Sequence, residues 1–327
     1  MTRPVDFRPS ASLVDLRYRA DIVAALRSFF LEQGFWEVET PILSSDVIAD
    51  TFIDPIAVPR AALEDLGSRL PVELFLQTSP EFAMKRLLAA GADRIFQICK
   101  AFRAGERGSQ HNPEFTILEW YHADDYPEGL KLLAKLTERL WPVQPCRVVT
   151  YCQLFEQHFG LDPLDVAPQQ LHRVVLDRLS VDVARVQGWD RDDCLTSLLA
   201  EIQTQLGHEA PMIVCDWPVS QAALARAKPT EPRLAERFEL YVQGMELANG
   251  YCELTDPDEL LRRMQEANRK RVASGRRAVP VESRLLAAMR AGLPSSCGVA
   301  LGVDRLVMVL LNKSSIDQVI PFPIESA

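Results

Sequence analysis

The sequence has no surplus of basic charge, no closely spaced cysteine pairs and no long apolar run, and each absence closes off a class of function. Its 36 Lys and Arg stand against 45 Asp and Glu, a net charge of −9. A protein built to hold an extended polyanion carries the opposite balance, so extensive nucleic-acid binding is not expected. The seven cysteines (Cys99, Cys146, Cys152, Cys194, Cys215, Cys252 and Cys297) form no CxxC pair and no zinc-ligand spacing. Their odd number in a chain of 327 residues points to reduced thiols in the cytoplasm. No stretch approaches the ~18 apolar residues of a membrane helix, and MTRPVDFRPSA at the start lacks the apolar centre of a signal peptide. No Walker-type glycine loop occurs. What is present is 47% apolar content, ample for a core in one large domain or two modest ones.

The chain is organised around residues 95–121, IFQICKAFRAGERGSQHNPEFTILEWY. Two apolar-alternating runs flank a polar stretch of Gly, Arg, Gln, His and Asn, the pattern of an antiparallel hairpin with a long connection. Strand alternation puts Phe115, Ile117, Glu119 and Tyr121 on one face and Thr116, Leu118 and Trp120 on the other. The first face offers a carboxylate, a phenol and an aromatic ring, a platform for a small molecule. Arg103 closes the first strand, where it can reach a phosphate.

Before this hairpin, Leu13, Leu16, Ala20, Val23, Leu26 and Phe30 recur at helical steps and predict a helix over 12–33 with Gly34 at its end. FWEVETP then reads as a short strand stopped by Pro41. Residues 42–73 give few signals. Leu74–Gln77 reads as extended, and Thr78-Ser79-Pro80-Glu81 opens a helix with Ser79 as N-cap and Pro80 in the first turn. Residues 127–210 are mostly helical in pattern, an expected insertion, and Pro211–Pro218 reads as a strand.

In 236–254, ERFELYVQGMELANGYCEL, Glu246 and Glu253 are seven apart. A regular strand would put them on opposite faces. A bulge at Asn249-Gly250 would restore them to one face, and a tight turn there would pair them across a hairpin. Two acids brought together need a cation between them, and oxygen ligands beside phosphates favour Mg²⁺. Residues 257–277 carry seven basic side chains, Arg262, Arg263, Arg269, Lys270, Arg271, Arg276 and Arg277, read as a solvated helix face or a docking patch. In CGVALGVDRLVMVLL, from Cys297, one strand face is nearly bare (Gly298, Ala300, Gly302), and Asp304 is placed to cap the next helix, with Arg305 at its start.

FRAGE followed by HNPEFTILEWY resembles motif 2 of the class II aminoacyl-tRNA synthetases, in their lysyl subgroup. The helix–strand–proline entry is similar to motif 1, the dimer-forming element, and GVALGVDR is similar to motif 3. The TSPE and GMELANGYCEL runs resemble the amino-acid loop and the metal- and ATP-binding segment. The similarity covers essentially the whole chain. It implies an α+β fold, an antiparallel sheet flanked by helices, as a single catalytic domain over 1–327 without an anticodon-binding domain. It also implies a homodimer.

The resemblance assigns ATP to Arg103, Gly105, Glu106, Asn112, Phe115, Glu246, Leu247, Gly302 and Arg305, with Arg103 and Arg305 as the catalytic pair. The class II Arg-x-Glu pattern is one residue longer here, Arg103-Ala104-Gly105-Glu106. Amino-acid binding falls to Ser79, Glu81, Glu119, Tyr121, Glu253 and Ala300, and Mg²⁺ to Glu246 and Glu253. Lysyl-tRNA synthetases carry glycine at the position of Ala300, whereas a free-standing branch of the family carries alanine. That branch joins β-lysine to a lysine side chain of elongation factor P, so its reaction is the expected one. Truncated tRNA-charging and non-catalytic, synthetase-like regulatory roles are the alternatives.

Overall fold

The computed structural model describes residues 7–59, 73–142 and 144–327. In chain order the first elements are α1 (Leu13–Glu32), β1 (Trp36–Glu37), β2 (Leu43–Ser44), β3 (Ala57–Pro59), β4 (Glu73–Leu76), α2 (Glu81–Ala89), β5 (Arg94–Phe102) and β6 (Glu114–His122). There follow α3 (Tyr126–Leu140), β7 (Arg147–Thr150), α4 (Tyr151–Phe159), α5 (Pro168–Arg178), α6 (Val183–Val186), α7 (Arg191–Gln203) and β8 (Met212–Pro218). The chain closes with β9 (Ala227–Lys228), β10 (Glu231–Val242), β11 (Met245–Cys252), α8 (Pro257–Ala273), α9 (Arg284–Gly292), β12 (Cys297–Gly302) and α10 (Val303–Leu310). The class is α+β. Two compact units are formed, residues 1–123 with 254–327 and residues 124–253.

In the first unit, β5, β6 and β12 pair antiparallel, and β1 joins β5 in parallel. The register sets Gln97, Glu119 and Ala300 in one row across three strands, with Cys99, Ile117 and Gly302 in the next. Directly opposed residues share a face, so the face read from alternation is realised. The opposite face is core: Phe30 of α1 stacks on Phe96 at 5.1 Å between centroids and meets Trp120 at 4.9 Å. Ser12 caps α1 by accepting from the Asp15 N–H, and Gly34 takes the left-handed conformation (φ +79°) expected after its end. The part of the 42–73 reading that covers 60–72 lies outside the described residues.

In the second unit, β8, β10 and β11 pair antiparallel and β7 joins β8 in parallel. Strand β7 interrupts the predicted helical stretch. Tyr151, Phe155, Leu195, Leu198 and Trp217 lie in its core. The hairpin tip is Gln243-Gly244, both at positive φ, and not Asn249-Gly250, which runs inside β11. The tip docks on the end of α7: Gly244 N–H donates to Leu206 O, and a Cβ on Gly244 would lie 2.7 Å from Thr204 O.

Two smaller expectations are corrected. Asp304 does not cap α10; Gly302 holds that position, and the Asp304 carboxylate instead accepts from the Thr116 N–H at 2.7 Å and pairs with Arg19 at 2.6 Å. Cys99, Cys146, Cys152, Cys194 and Cys215 are free thiols as expected, but Cys252 and Cys297 are disulfide-bonded.

Candidate active site

The first unit carries a buried carboxylate in an unusual setting. Glu119, on β6, is 1% exposed, with Gln97 on one side and Ala300 on the other. Ser79 Oγ donates to Glu119 Oε1 at 2.5 Å, and Tyr121 OH donates to Oε2 at 3.0 Å. Ser79 also accepts from the Glu81 N–H at 3.1 Å, although Pro80 occupies the cap position and α2 starts one residue later than predicted. One hydroxyl therefore joins the TSPE turn to the sheet. Glu81 itself is buried and ion-paired with Lys85 one helical turn on.

Burial, and then the nearby charge of Glu81, push the Glu119 carboxyl up to about 7, against the opposing pull of Ser79, Tyr121 and Lys85. A carboxylate held this far from its ordinary range is costly to ionise alone and favours an incoming cation. Asp46, Val47 and Ile48 line a pocket together with Gln77, Ser79 and Glu81. Ala300 and Gly302 are the more accessible positions of β12, whereas Gly298 is buried.

Next along the same face lies an arrangement suited to a nucleotide. The Arg103 guanidinium sits over the Phe115 ring at 4.9 Å and lies 3.8 Å from Glu106. Its Nε is buried without a hydrogen-bond partner among the described residues, a donor in reserve for an anion. The connection is held in place at several points. Gly105 adopts φ +76°, Arg103 N–H donates to Pro113 O, and Ala104 N–H donates to Asp54 O at 2.8 Å. Arg107 pairs with Asp317 and Glu325. Asn112 is committed at both ends of its amide, donating to Glu114 O at 2.7 Å and accepting from the Ile324 N–H at 3.1 Å. Its contacts fix the loop and the C-terminal segment. Arg305, in the first turn of α10, meets His111 Nε2 at 2.5 Å. Burial and the positive charge of Arg305 hold the His111 imidazole below its ordinary range.

The second unit carries the glutamate pair. In β10–β11, Leu240 faces Ala248 while Tyr241 faces Glu246, so the bulge falls at Leu247. The physical result expected of a bulge at Asn249-Gly250 is reached two residues earlier: Glu246, Asn249 and Glu253 come to one face, the face of Arg237, Glu239 and Tyr241. Arg237 pairs with Glu239 at 2.5 Å, and its guanidinium covers Trp217 at 4.3 Å. Asn249 Oδ1 is buried without a hydrogen-bond partner among the described residues. Two carboxylates and an amide oxygen suit a hard cation shared with phosphates. Among the described residues no cluster of three His, Cys, Asp or Glu has metal-binding geometry.

Gln97, Lys85 and His111 were not singled out in the sequence, and Asn249 was read there only as a bulge or turn residue. Only Lys85 left a signal, its four-residue spacing from Glu81. The basic run is largely consumed at home: Arg262 and Arg263 pair with Glu259, Arg269 with Glu266, and Arg277 with Glu73. No described helix is long and apolar enough to cross a membrane.

Comparison with known proteins adds the family. The family described as tRNA synthetases class II (D, K and N) matches residues 1–326. The elongation factor P–(R)-β-lysine ligase of Pectobacterium atrosepticum is 42% identical over the full length of both chains. The proteins of that name from Erwinia tasmaniensis and Salmonella gallinarum are each 41% identical, covering 99% and 100% of both chains respectively. With its strand order, its motif 2 hairpin and its motif 3 strand–helix joint, the chain belongs to the class II aminoacyl-tRNA synthetase family, on the branch that these ligases represent.

Proposed function

We propose that the protein activates (R)-β-lysine, or lysine, with ATP and transfers it to a lysine side chain of elongation factor P. The observation that carries this reading is Glu119, a buried carboxylate beside Glu81, Ser79 and Tyr121, which demands a cationic partner. The names of the full-length relatives supply the acceptor. A substrate oxygen of the carboxylate attacks the α-phosphorus, pyrophosphate leaves, and an acyl-adenylate remains. The acceptor amine then attacks the carbonyl carbon, AMP departs, an amide forms and a proton is released.

Arg103 and Arg305 are assigned to charge on the phosphate oxygens, and Phe115 to adenine, with Glu106 on the base, and Gly105, Leu247 and Gly302 lining the nucleotide. Little covalent help is needed; alignment supplies much of the acceleration. Glu81, Glu119 and Tyr121 are assigned to the ammonium groups, and Ala300, opposite Glu119 in the register, is assigned to narrowing the space beside it. Glu246 and Glu253, with the Asn249 oxygen, are assigned to Mg²⁺, which supplies charge neutralisation at the phosphates when bound. In this reading residues 1–327 are a single catalytic domain, with the mostly helical 127–210 as its insertion.

The exposed apolar side chains Leu13, Val14, Tyr18 and Leu31 of α1 and Trp36 of β1 favour a homodimer through that part of the surface.

ATP–pyrophosphate exchange run with lysine and both β-lysine enantiomers tests the activation step. Label from the amino acid should then appear on elongation factor P in acid-stable form. Alkali-labile label on tRNA would instead make the protein a tRNA-charging enzyme.

A further inference from the structure

The inward-facing arginine of the basic run has a place that the pairing of its neighbours does not explain. Arg271, near the end of α8, is only 2% exposed. Its Nη1 donates to the carbonyls of Asp50 and Ile53, both at 2.8 Å, its Nη2 to Asp54 Oδ1 at 2.6 Å and its Nε to Arg277 O at 2.9 Å. Arg276 adds a bond to Thr51 O and a looser pairing with Asp54 at 3.6 Å. A guanidinium buried this deeply costs free energy unless its donors are met, and here three of its four bonds go to one loop.

That loop, residues 46–54, has a different task at each end. Its first residues, Asp46, Val47 and Ile48, line the pocket that holds Ser79 and Glu81. At its far end, Asp54 O accepts the Ala104 N–H, next to Arg103. Between them the chain has no strand partner among the described residues, and the Asp50 carboxylate ties the local turn through Phe52 and Ile53 N–H. An irregular segment of this kind must be ordered by contacts from outside, because fixing each residue costs ~1–2 kcal/mol of conformational entropy. Lysine offers a compact point charge in place of the planar fork, so it cannot reproduce the four donations.

We propose that Arg271 is a positioning residue for adenylation. It clamps the middle of the 46–54 strap, so that the wall of the amino-acid pocket and the backbone beside Arg103 keep one common setting. The inference rests on the proposed function for its kinetic consequences, and on the hydrogen bonds alone for its structural one.

The test compares Arg271→Met, which keeps the apolar stem, with Arg271→Lys and Asp54→Asn. Pyrophosphate exchange per folded active site should fall in kcat by about 10- to 100-fold in R271M, as for a small misplacement of reacting groups. The fall should be smaller in R271K and smallest in D54N. A merely structural role would lower the unfolding temperature and leave kcat per folded site unchanged, and that result in R271M overturns the proposal. Should R271M fail to fold, a wild-type kcat in both R271K and D54N overturns it equally. Amide hydrogen exchange at Ala104 is measured on the same proteins without substrate. It should be about tenfold faster in the folded Arg271 variants while core amides of β5 keep their protection. Unchanged protection of Ala104 overturns the proposal even if the exchange assay has shown that lysine and β-lysine are not substrates.

Discussion

The two carboxylate sites are built on opposite plans. Glu119 sits in the middle of a regular three-strand register, and its setting is made by residues distant in sequence: Ser79 from the turn before α2, Gln97 from β5 and Ala300 from β12. Glu246 and Glu253 lie on a single hairpin, and their common face depends on one extra residue, Leu247. The first site is specified by tertiary assembly and is raised in proton affinity by burial; the second is specified by a local irregularity in one strand pair. The acid assigned to an ammonium group is stored in the dry centre of a sheet, whereas the acids assigned to a metal stand at the two ends of β11, with Glu246 partly accessible.

Substitutions sharpen the contrast. The largest effect belongs to neither acid but to the arginine assigned to the phosphates: Arg103→Ala should slow pyrophosphate exchange by ~10²–10³, as for loss of a donor to developing charge. Exchange at the wild-type rate would remove Arg103 from the chemistry. Glu119→Gln should raise the amino-acid KM by about 10- to 100-fold, the worth of one charged hydrogen bond, with the KM for ATP little changed. A comparable rise in both would mean that the site is coupled to the nucleotide and is not a separate ammonium pocket. Glu246→Gln should raise the half-saturating Mg²⁺ concentration about tenfold and leave the amino-acid KM alone. The smallest change is expected of Ala300→Gly. Restoring the wider row should move the preference between lysine and β-lysine by about five- to tenfold, the low end for one methyl group in a pocket; an unchanged ratio would leave Ala300 without a role in selection.

The difference between the sites also decides what could be read in advance. The face of Phe115, Ile117, Glu119 and Tyr121 follows from strand alternation alone, and β6 is regular over its whole length, so the reading holds. The pairing of Glu246 with Glu253 required a bulge, and turn-forming residues placed it at Asn249-Gly250. Asn-Gly was instead accommodated inside the strand, because the Gln243-Gly244 tip is fixed by its docking on the end of α7. Asp304 illustrates the same limit. An aspartate near a helix start reads as a cap, yet its carboxylate is drawn to Arg19 and the Thr116 N–H, contacts that only the folded chain creates. Gln97 and Arg271 carry no local pattern that marks them; each gains its role from the register or the loop it meets.

Proton release on binding of the amino acid is the most direct test of Glu119. With its carboxyl pushed up to about 7, the empty site holds a proton at lower pH, and an arriving ammonium group must displace it. The same sign applies to stability: the folded protein binds this proton more tightly than the unfolded chain, so the contribution of Glu119 falls as pH rises from the ordinary carboxyl range to about 7. Calorimetry of (R)-β-lysine binding in buffers of different ionisation enthalpy should show close to one proton released at about pH 6 and nearly none at about pH 8.5, with Glu119→Gln abolishing the release. Binding that releases no proton at either pH, or releases it equally in the Gln variant, would contradict the assignment of Glu119 as the ammonium-binding acid.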